Sequence, residues 1–173
     1  MATVDLQPTL RGQLLELRPL SPEDYQELYE VAADQLIWEQ HPASDRYKPE
    51  VFQAFFGEAL KLKGAMVAVD LESNQMIGSS RFHGYDPSAS EVEIGWTFLA
   101  RSHWGGIYNG EMKALMLEHA FGFVNSVIFV VGPENWRSQR AVEKIGGSRA
   151  GSRPDPSGRL DIVYRLTASA FNC

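Results

Sequence analysis

The spacing of apolar residues changes several times along the chain, and each change marks an element. "LLELRPL" (14–20) reads as a first strand. "SPEDYQELYEVAAD" (21–34) predicts a helix, with Ser21 as cap, Pro22 in the first helical position and acidic residues in the first turn. "IWEQHPASDRYK" (37–48) has no period and mixes aromatic with polar groups. "PEVFQAFFGEALKL" (49–62) returns to helical spacing through Phe52, Phe55, Phe56 and Leu60. Three strands follow, "AMVAVD" (65–70), "MIGSSRFHG" (76–84) and "EVEIGWTFL" (91–99), separated by turn-like "LESNQ" and "YDPSAS", which predicts an antiparallel meander. In the last of them Val92, Ile94, Trp96 and Phe98 alternate with Glu91, Glu93, Gly95 and Thr97.

The stretch "HWGGIYNGEMKALMLEHAFG" (103–122) carries a pair of glycines straight into a helix over about 107–123. Tyr108, Met112, Leu115, Met116 and His119 form one apolar stripe, and Ala114, Leu117 and Phe121 a second beside it, so this helix belongs inside the protein. "VIFVV" (127–131) is apolar throughout, as in a strand covered on both faces. "NWRSQRAVEKIGG" (135–147) is a short helix ending at glycine, and a hairpin closes the chain from about 148 to 166 around "PDPSG" (154–158). The order is β-α-α-β-β-β-α-β-α-β-β. Only the unit from 91 to 131 demands a parallel crossover, so the expected fold is α/β, a mixed sheet with helices on both faces.

The composition of the 173 residues narrows the function. At 44% hydrophobic the chain is one domain's worth, residues 1–173, with no linker, repeat or low-complexity tract. A formal net charge of −6 shows no electrostatic footprint for nucleic acid, but leaves room for a basic protein partner or a cationic substrate. The single cysteine, Cys173, allows no internal disulfide, and the N-terminus lacks the basic start and apolar core of a signal peptide. No apolar run approaches the ~20 residues of a bilayer span. A cytoplasmic protein is expected. His41, His83, His103 and His119 fall in no metal-ligand spacing, so no metal is expected.

Gly105 and Gly106 pose the main question, because glycine starts and fills helices poorly. The first helical N–H groups have no partner within the helix and the helix dipole adds about half a positive charge there, so glycines before them allow a phosphate to approach without meeting a Cβ. Arg101 lies just upstream. The alternative is a tight turn with no ligand. Neither GxGxxG nor GxxxxGK[ST] is present, which disfavours both familiar nucleotide folds.

Taken together, "EVEIGWTFL", "RSHWGGIYNGEMKALMLEHAF" and "NWRSQRAVEKIGG", in that order on those elements, resemble the GNAT acyl-CoA-dependent N-acyltransferases. Within them the chain is most similar to the branch of the ribosomal-protein alanine and serine N-acetyltransferases. The likeness runs from "LRPLSPED" to the final hairpin and implies a single acyl-CoA N-acyltransferase domain with a GNAT-like fold and a splayed parallel strand pair. The cofactor loop of that branch looks like W-G-x-G-Y-x-x-E, matched here by Trp104, Gly105, Tyr108 and Glu111. Ser102 stands where the family carries Gln or Arg, Ile107 takes the second glycine position, and Gly106 lies one residue early. The resemblance implies acetyl-CoA as acyl donor, with Arg101, Trp104, Gly105, Gly106, Ile107, Tyr108, Asn109 and Gly110 around its diphosphate. Its pantetheine arm would pass between strands 91–99 and 127–131, along Phe98 and Leu99, facing Asn135 and Ser138. Many relatives place a general-acid tyrosine seven residues after that asparagine; Val142 stands there, and Ser138 becomes the candidate.

The implied chemistry is transfer of an acetyl group to a primary amine, on a protein N-terminus or a small molecule, by direct attack with both substrates bound. A free α-amine, pKa about 7.7–8.0, is on the order of 10% neutral at pH 7, and a lysine near 10.4 is neutral well below 0.1%, so an α-amine asks least of a base. Glu93 is the candidate base, sitting either in a cleft or at the sheet's rim. A backbone N–H near Leu99 could polarise the thioester carbonyl. The acceptor would enter over 37–48, past Trp38, His41, Asp45, Arg46 and Tyr47, with Arg81, His83 and Tyr85. Two alternatives remain: a non-catalytic acyl-CoA-binding module of the same fold, and a nucleotide-binding protein using the same glycine turn. No membrane partner is expected, and the protein would be a monomer or homodimer.

Overall fold

In the computed structural model, which describes residues 3–172 and so leaves Cys173 outside, eight strands form one sheet ordered β1-β2-β3-β4-β5-β6-β8-β7. The strands are β1 (Leu10–Arg11), β2 (Leu15–Pro19), β3 (Ala65–Asp70), β4 (Met76–Asp86), β5 (Glu91–Leu99), β6 (Ser126–Val131), β7 (Ser148–Pro154) and β8 (Leu160–Thr167). The helices are α1 (Tyr25–Ala32), α2 (Pro49–Leu62), α3 (Ile107–Ala120), α4 (Trp136–Lys144) and α5 (Ala168–Phe171). The predicted first helix begins instead with a 3-10 turn at Pro22–Asp24, where Asp24 accepts the Ser21 N–H at 2.8 Å. Strand β1 and helix α5 are too short to leave a periodic signal.

One core lies under α3 and α4, joining Met112, Met116, Leu117 and Val142 to Leu15, Leu17, Val92, Ile94, Leu99, Val127, Phe129, Tyr164 and Leu166. The other lies under α1 and α2, where Leu28, Phe52, Phe56 and Trp38 meet Ala65, Val67, Met76 and Phe98. Burying each large side chain contributes about 1.5–3 kcal/mol, so both faces are well anchored. Helix α3 is tied to the opposite end of the sheet by Glu111, whose carboxylate accepts the N–H groups of Gln13, Leu14 and Leu15 at 2.7–2.9 Å.

Two features of β5 shape the molecule. It is not evenly alternating: Arg81 faces Gly95 while Ser79 faces Phe98, so β5 carries one extra residue there. Trp96, at φ 53°, takes up the difference. The bulge turns Phe98 into the α1/α2 core and leaves Leu99 with Val92 and Ile94 in the other, correcting the single-face alternation expected through Phe98. A left-handed tryptophan is strained, and Gly95 just before it is the sequence mark of the irregularity. Second, β5 pairs with β6 in parallel only from Glu91/Ser126 to Glu93/Ile128. Both strands continue past that point without pairing to each other, and the sheet opens into a wedge.

Candidate active site

A cleft of about 820 Å3 fills the wedge. Its floor is Glu93, at the end of the β5/β6 ladder, and the stretches beyond it where β5 and β6 do not pair with each other, including Trp96, Thr97, Phe98, Leu99 and Phe129. One mouth is formed by Trp104, Gly105, Gly106 and Asn109, and one wall by Asn135, Arg137, Ser138 and Val142.

The glycine pair has a conformational cause. Gly105 and Gly106 lie at φ 121° and 102°, consecutive positions that residues with a Cβ rarely adopt. Gly106 is the N-cap of α3, no side chain caps that end among the described residues, and the first helical bond runs from the Gly110 N–H to the Gly106 carbonyl. The N–H groups from Ile107 to Asn109 are therefore without intrahelical partners, next to the cleft. Ile107, in the family's second glycine position, is the first helical residue and 68% exposed; Gly106 makes the left-handed turn one residue earlier. This arrangement fits a diphosphate.

The loop before α3 is held from outside the cleft. Asp70 accepts hydrogen bonds from Tyr108 Oη (3.2 Å) and Ser73 Oγ (3.0 Å) and pairs with His103 Nε2 (3.1 Å), while the His103 ring stands edge-on to Tyr108. Burial works against the Asp70 carboxylate, but His103, the Glu72 N–H, Ser73 and Tyr108 outweigh it and hold its pKa below the ordinary value. Tyr108 thus braces the loop, and Arg101 points away from the cleft to Asp34 at 2.5 Å. Neither lines the cleft; nor do Ile107 and Gly110. Trp104 does, with its indole N–H bonded to the Leu99 carbonyl at 2.9 Å and the Arg137 guanidinium 4.1 Å from its ring centre.

Glu93 is in the cleft, not at the rim. It is buried where the β5/β6 ladder ends, and Arg153 donates to its Oε1 at 3.1 Å. Burial raises its pKa and outweighs Arg153, leaving a carboxylate more basic than usual. Ser138 lies in the first turn of α4, with its N–H donated to the capping Asn135 Oδ1 at 3.4 Å. Gln139, buried behind them, donates to the Gly132 and Pro133 carbonyls.

Of the expected acceptor-side residues, Trp38, His41 and Arg46 line the cleft. Arg81 is buried behind Trp96, His83 stands edge-on to Trp96, and Tyr85 packs on Phe123. Asp45 and Tyr47 stay outside the cleft, Tyr47 with its carbonyl accepting from Tyr29 Oη. Burial pushes the His41 pKa down to about 3, so the ring is neutral, and its Nδ1 accepts the Ala43 N–H. Three groups escape sequence reasoning. Lys113 is buried on α3, donates to Thr97 Oγ1 at 2.6 Å, and has its pKa lowered to about 7 by burial. Thr97 lies 2.8 Å from Ser80 Oγ. Arg159 enters the cleft from the closing hairpin, paired with Asp155 and Asp161. The β5 bulge brings Thr97 beneath Lys113. Among the described residues no three His, Cys, Asp or Glu side chains converge as a metal site.

The family profile of the acetyltransferase (GNAT) domain matches residues 15–148. Two solved structures assigned as acetyltransferases are each 26% identical to this chain. One covers 99% of it and 91% of its own length at a TM-score of 0.79; the other, from T. thermophilus, covers 95% and 91% at 0.76. The fold is also that of the ribosomal-protein-S5-alanine acetyltransferase from Vibrio fischeri, at 13% identity, 95% and 99% coverage and a TM-score of 0.69. No curated protein matches the sequence.

Proposed function

The chain belongs to the GNAT acetyltransferase family and is an acyltransferase, and from that premise we propose that residues 1–173 form one domain that moves an acetyl group from acetyl-CoA to a primary amine. The observation that carries the site is the uncapped, glycine-led start of α3, opening onto a wedge between two parallel strands. When bound, acetyl-CoA supplies an acetyl group activated as a thioester.

Each residue then has a task. Amides from Gly105 to Asn109 hold the diphosphate, with the helix dipole adding attraction. Trp104 closes the mouth and is itself fixed by Leu99 and Arg137. The backbone at Phe98 and Leu99, past the bulge, pairs with β4 on one side but has no β6 partner on the other, where it bonds the pantetheine arm and the N–H near Leu99 polarises the acyl carbonyl. Asn135 and Ser138 face that arm from α4. Glu93 takes the proton from the acceptor amine, directly or through a water, and its raised pKa suits it to that work. Ser138 is the hydroxyl on the α4 side placed to return a proton to the departing sulfur. Arg101, Tyr108 and Gly110 act by shaping the loop. The acceptor, a protein N-terminus or a small-molecule amine, enters past Trp38, His41 and Arg46. Both substrates are held together and the amine attacks directly; among the described residues no cysteine lines the cleft. The reaction so drawn calls for no metal.

Thiol release from acetyl-CoA against a panel of amines tests this. General-base catalysis contributes about 10^2–10^4-fold, so Glu93→Gln should lower kcat at least ~10-fold and leave the acetyl-CoA Kd within about twofold. Wild-type activity should rise with pH as Glu93 ionises, and the variant should lose that limb. Acetyl-CoA binding with no turnover on any amine would show a binding module of the same fold instead.

A further inference from the structure

The acceptor side of the cleft holds an imbalance of charge. Among the described residues, the buried side-chain atoms left without a hydrogen-bond partner are Arg46 Nε, Arg81 Nη1 and Arg81 Nη2. Native proteins leave few such atoms, and each calls for an explanation. These three belong to two neighbouring arginines. The Arg46 guanidinium lies 4.3 Å from the centre of the Phe55 ring and 5.3 Å from Trp38; that of Arg81 lies 5.1 Å from the same Phe55 ring and 4.5 Å from Trp96. Rings and cations thus alternate as Trp38, Arg46, Phe55, Arg81, Trp96. Cation–π contact rewards this stacking but uses none of the in-plane N–H donors.

No carboxylate answers these charges well. Among the described residues Glu58 is the one acid in ion-pair range of Arg81, at 3.7 Å, and its side chain is 60% exposed. Arg46 has no ion pair among the described residues, and Asp45, its acidic neighbour in sequence, is exposed. Of the other cleft acids, Glu93 bears on Arg81 through its charge but gives its ion pair to Arg153, and both Asp155 and Asp161 pair with Arg159. Burial lowers the pKa of Arg46 and of Arg81 to about 10, and in Arg46 the charge of Arg81 adds to it, yet both stay cationic at neutral pH. In a chain of net charge −6, this wall of the cleft is positive.

We propose that the acceptor amine carries an oxyanion, a carboxylate or a phosphate, which the Arg46 guanidinium binds at the cleft wall while Arg81, behind Trp96, adds positive potential. This rests on the acetyl-transfer reading above and deepens it, by giving the acceptor a second charged group. A guanidinium presents paired N–H donors that match the two oxygens of a carboxylate, and a partly desolvated site makes that pairing strong. The same charge repels a polycation, so polyamines and aminoglycosides are disfavoured as acceptors.

Matched acceptor pairs provide the test: amino acids against their carboxamides, O-phosphoethanolamine against ethanolamine, and a peptide with Asp at its second position against its Asn counterpart, with spermidine as the polycation. In wild type the anionic member of at least one pair should have the higher kcat/KM, by ten-fold or more, and the pair that shows it identifies the source of the anion. Arg46→Gln should cut that advantage to about two-fold, with the acetyl-CoA Kd unchanged; Arg46→Lys, which keeps charge but loses the fork, should fall between. Equal rates within every pair, or a preference for spermidine, overturn the proposal even if acetyl transfer stands. If no amine is acetylated, tryptophan fluorescence titrated with N-acetylglycine and with N-acetylglycinamide still decides it, since Trp38 and Trp96 flank the arginines. Tighter binding of the carboxylate, lost in Arg46→Gln, supports it, and indifference to the carboxylate ends it. Failure to bind acetyl-CoA would count against the acetyl-transfer reading alone.

Discussion

At the scale of single residues, burial decides the chemistry. Glu93, His41 and Lys113 all line one cleft, and desolvation leads the shift of each: it raises the acid and lowers the two bases. For Lys113 this has a cost in stability. The unfolded side chain titrates near 10.4 and the folded one at about 7, so between these values the unfolded state binds more protons and stability rises with pH. Below about pH 7 both states are charged and the penalty, a few kcal/mol at ~1.4 kcal/mol per pKa unit, is complete. Lys113→Met should therefore raise Tm at pH 6, and the gain should shrink as the pH approaches 10; an equal Tm for both proteins at pH 6 would show the amine well solvated. Glu93 was legible in the sequence because it sits in a recognisable strand. Lys113 was not, since a lone lysine among "EMKALML" fits an exposed helix position equally well. The bulge in β5 supplies its partner by bringing Thr97 beneath it.

At the scale of elements, apolar period and caps located most of the fold. Helix α2 and strands β3 and β5 run over the residues predicted for them, and the parallel pair follows from the crossover between β5 and β6. What period does not carry is the internal geometry of an element. In β5 the glycine falls at Gly95 while the left-handed residue is Trp96, and strict alternation through both puts Phe98 in the wrong core. The α3 start shows the opposite case, where glycines do report on the backbone. Gly106, at φ 102°, makes a prediction at this scale: Gly106→Ala forces a Cβ into left-handed backbone and costs about 1–2 kcal/mol. The added methyl would also come within 3.2 Å of Lys144 Nζ. Chemical denaturation should show that loss, and acetyl-CoA binding should weaken with it. Unchanged stability together with unchanged affinity would mean that the turn is neither strained nor used.

At the scale of the whole molecule, the sheet is a device for holding two strands apart. Helices α1 and α2 anchor one face, α3 and α4 the other, and the β5/β6 ladder ends where Glu93 stands. The resemblance read from "HWGGIYNGEMK" leads to the α3 end of that opening, where the coenzyme is proposed to enter. The acceptor end was less legible, because Arg46 and Arg81 are far apart in sequence and meet only through Phe55. All of the proposed chemistry depends on the coenzyme entering the wedge diphosphate-first at α3. A crystal structure of the protein with CoA measures this most directly. The account predicts diphosphate oxygens about 2.7–3.2 Å from backbone nitrogens between Gly105 and Asn109, with the pantetheine arm between β5 and β6 beyond Glu93 and Ile128. A diphosphate bound away from those amides, or an arm lying outside the two strands, would contradict it.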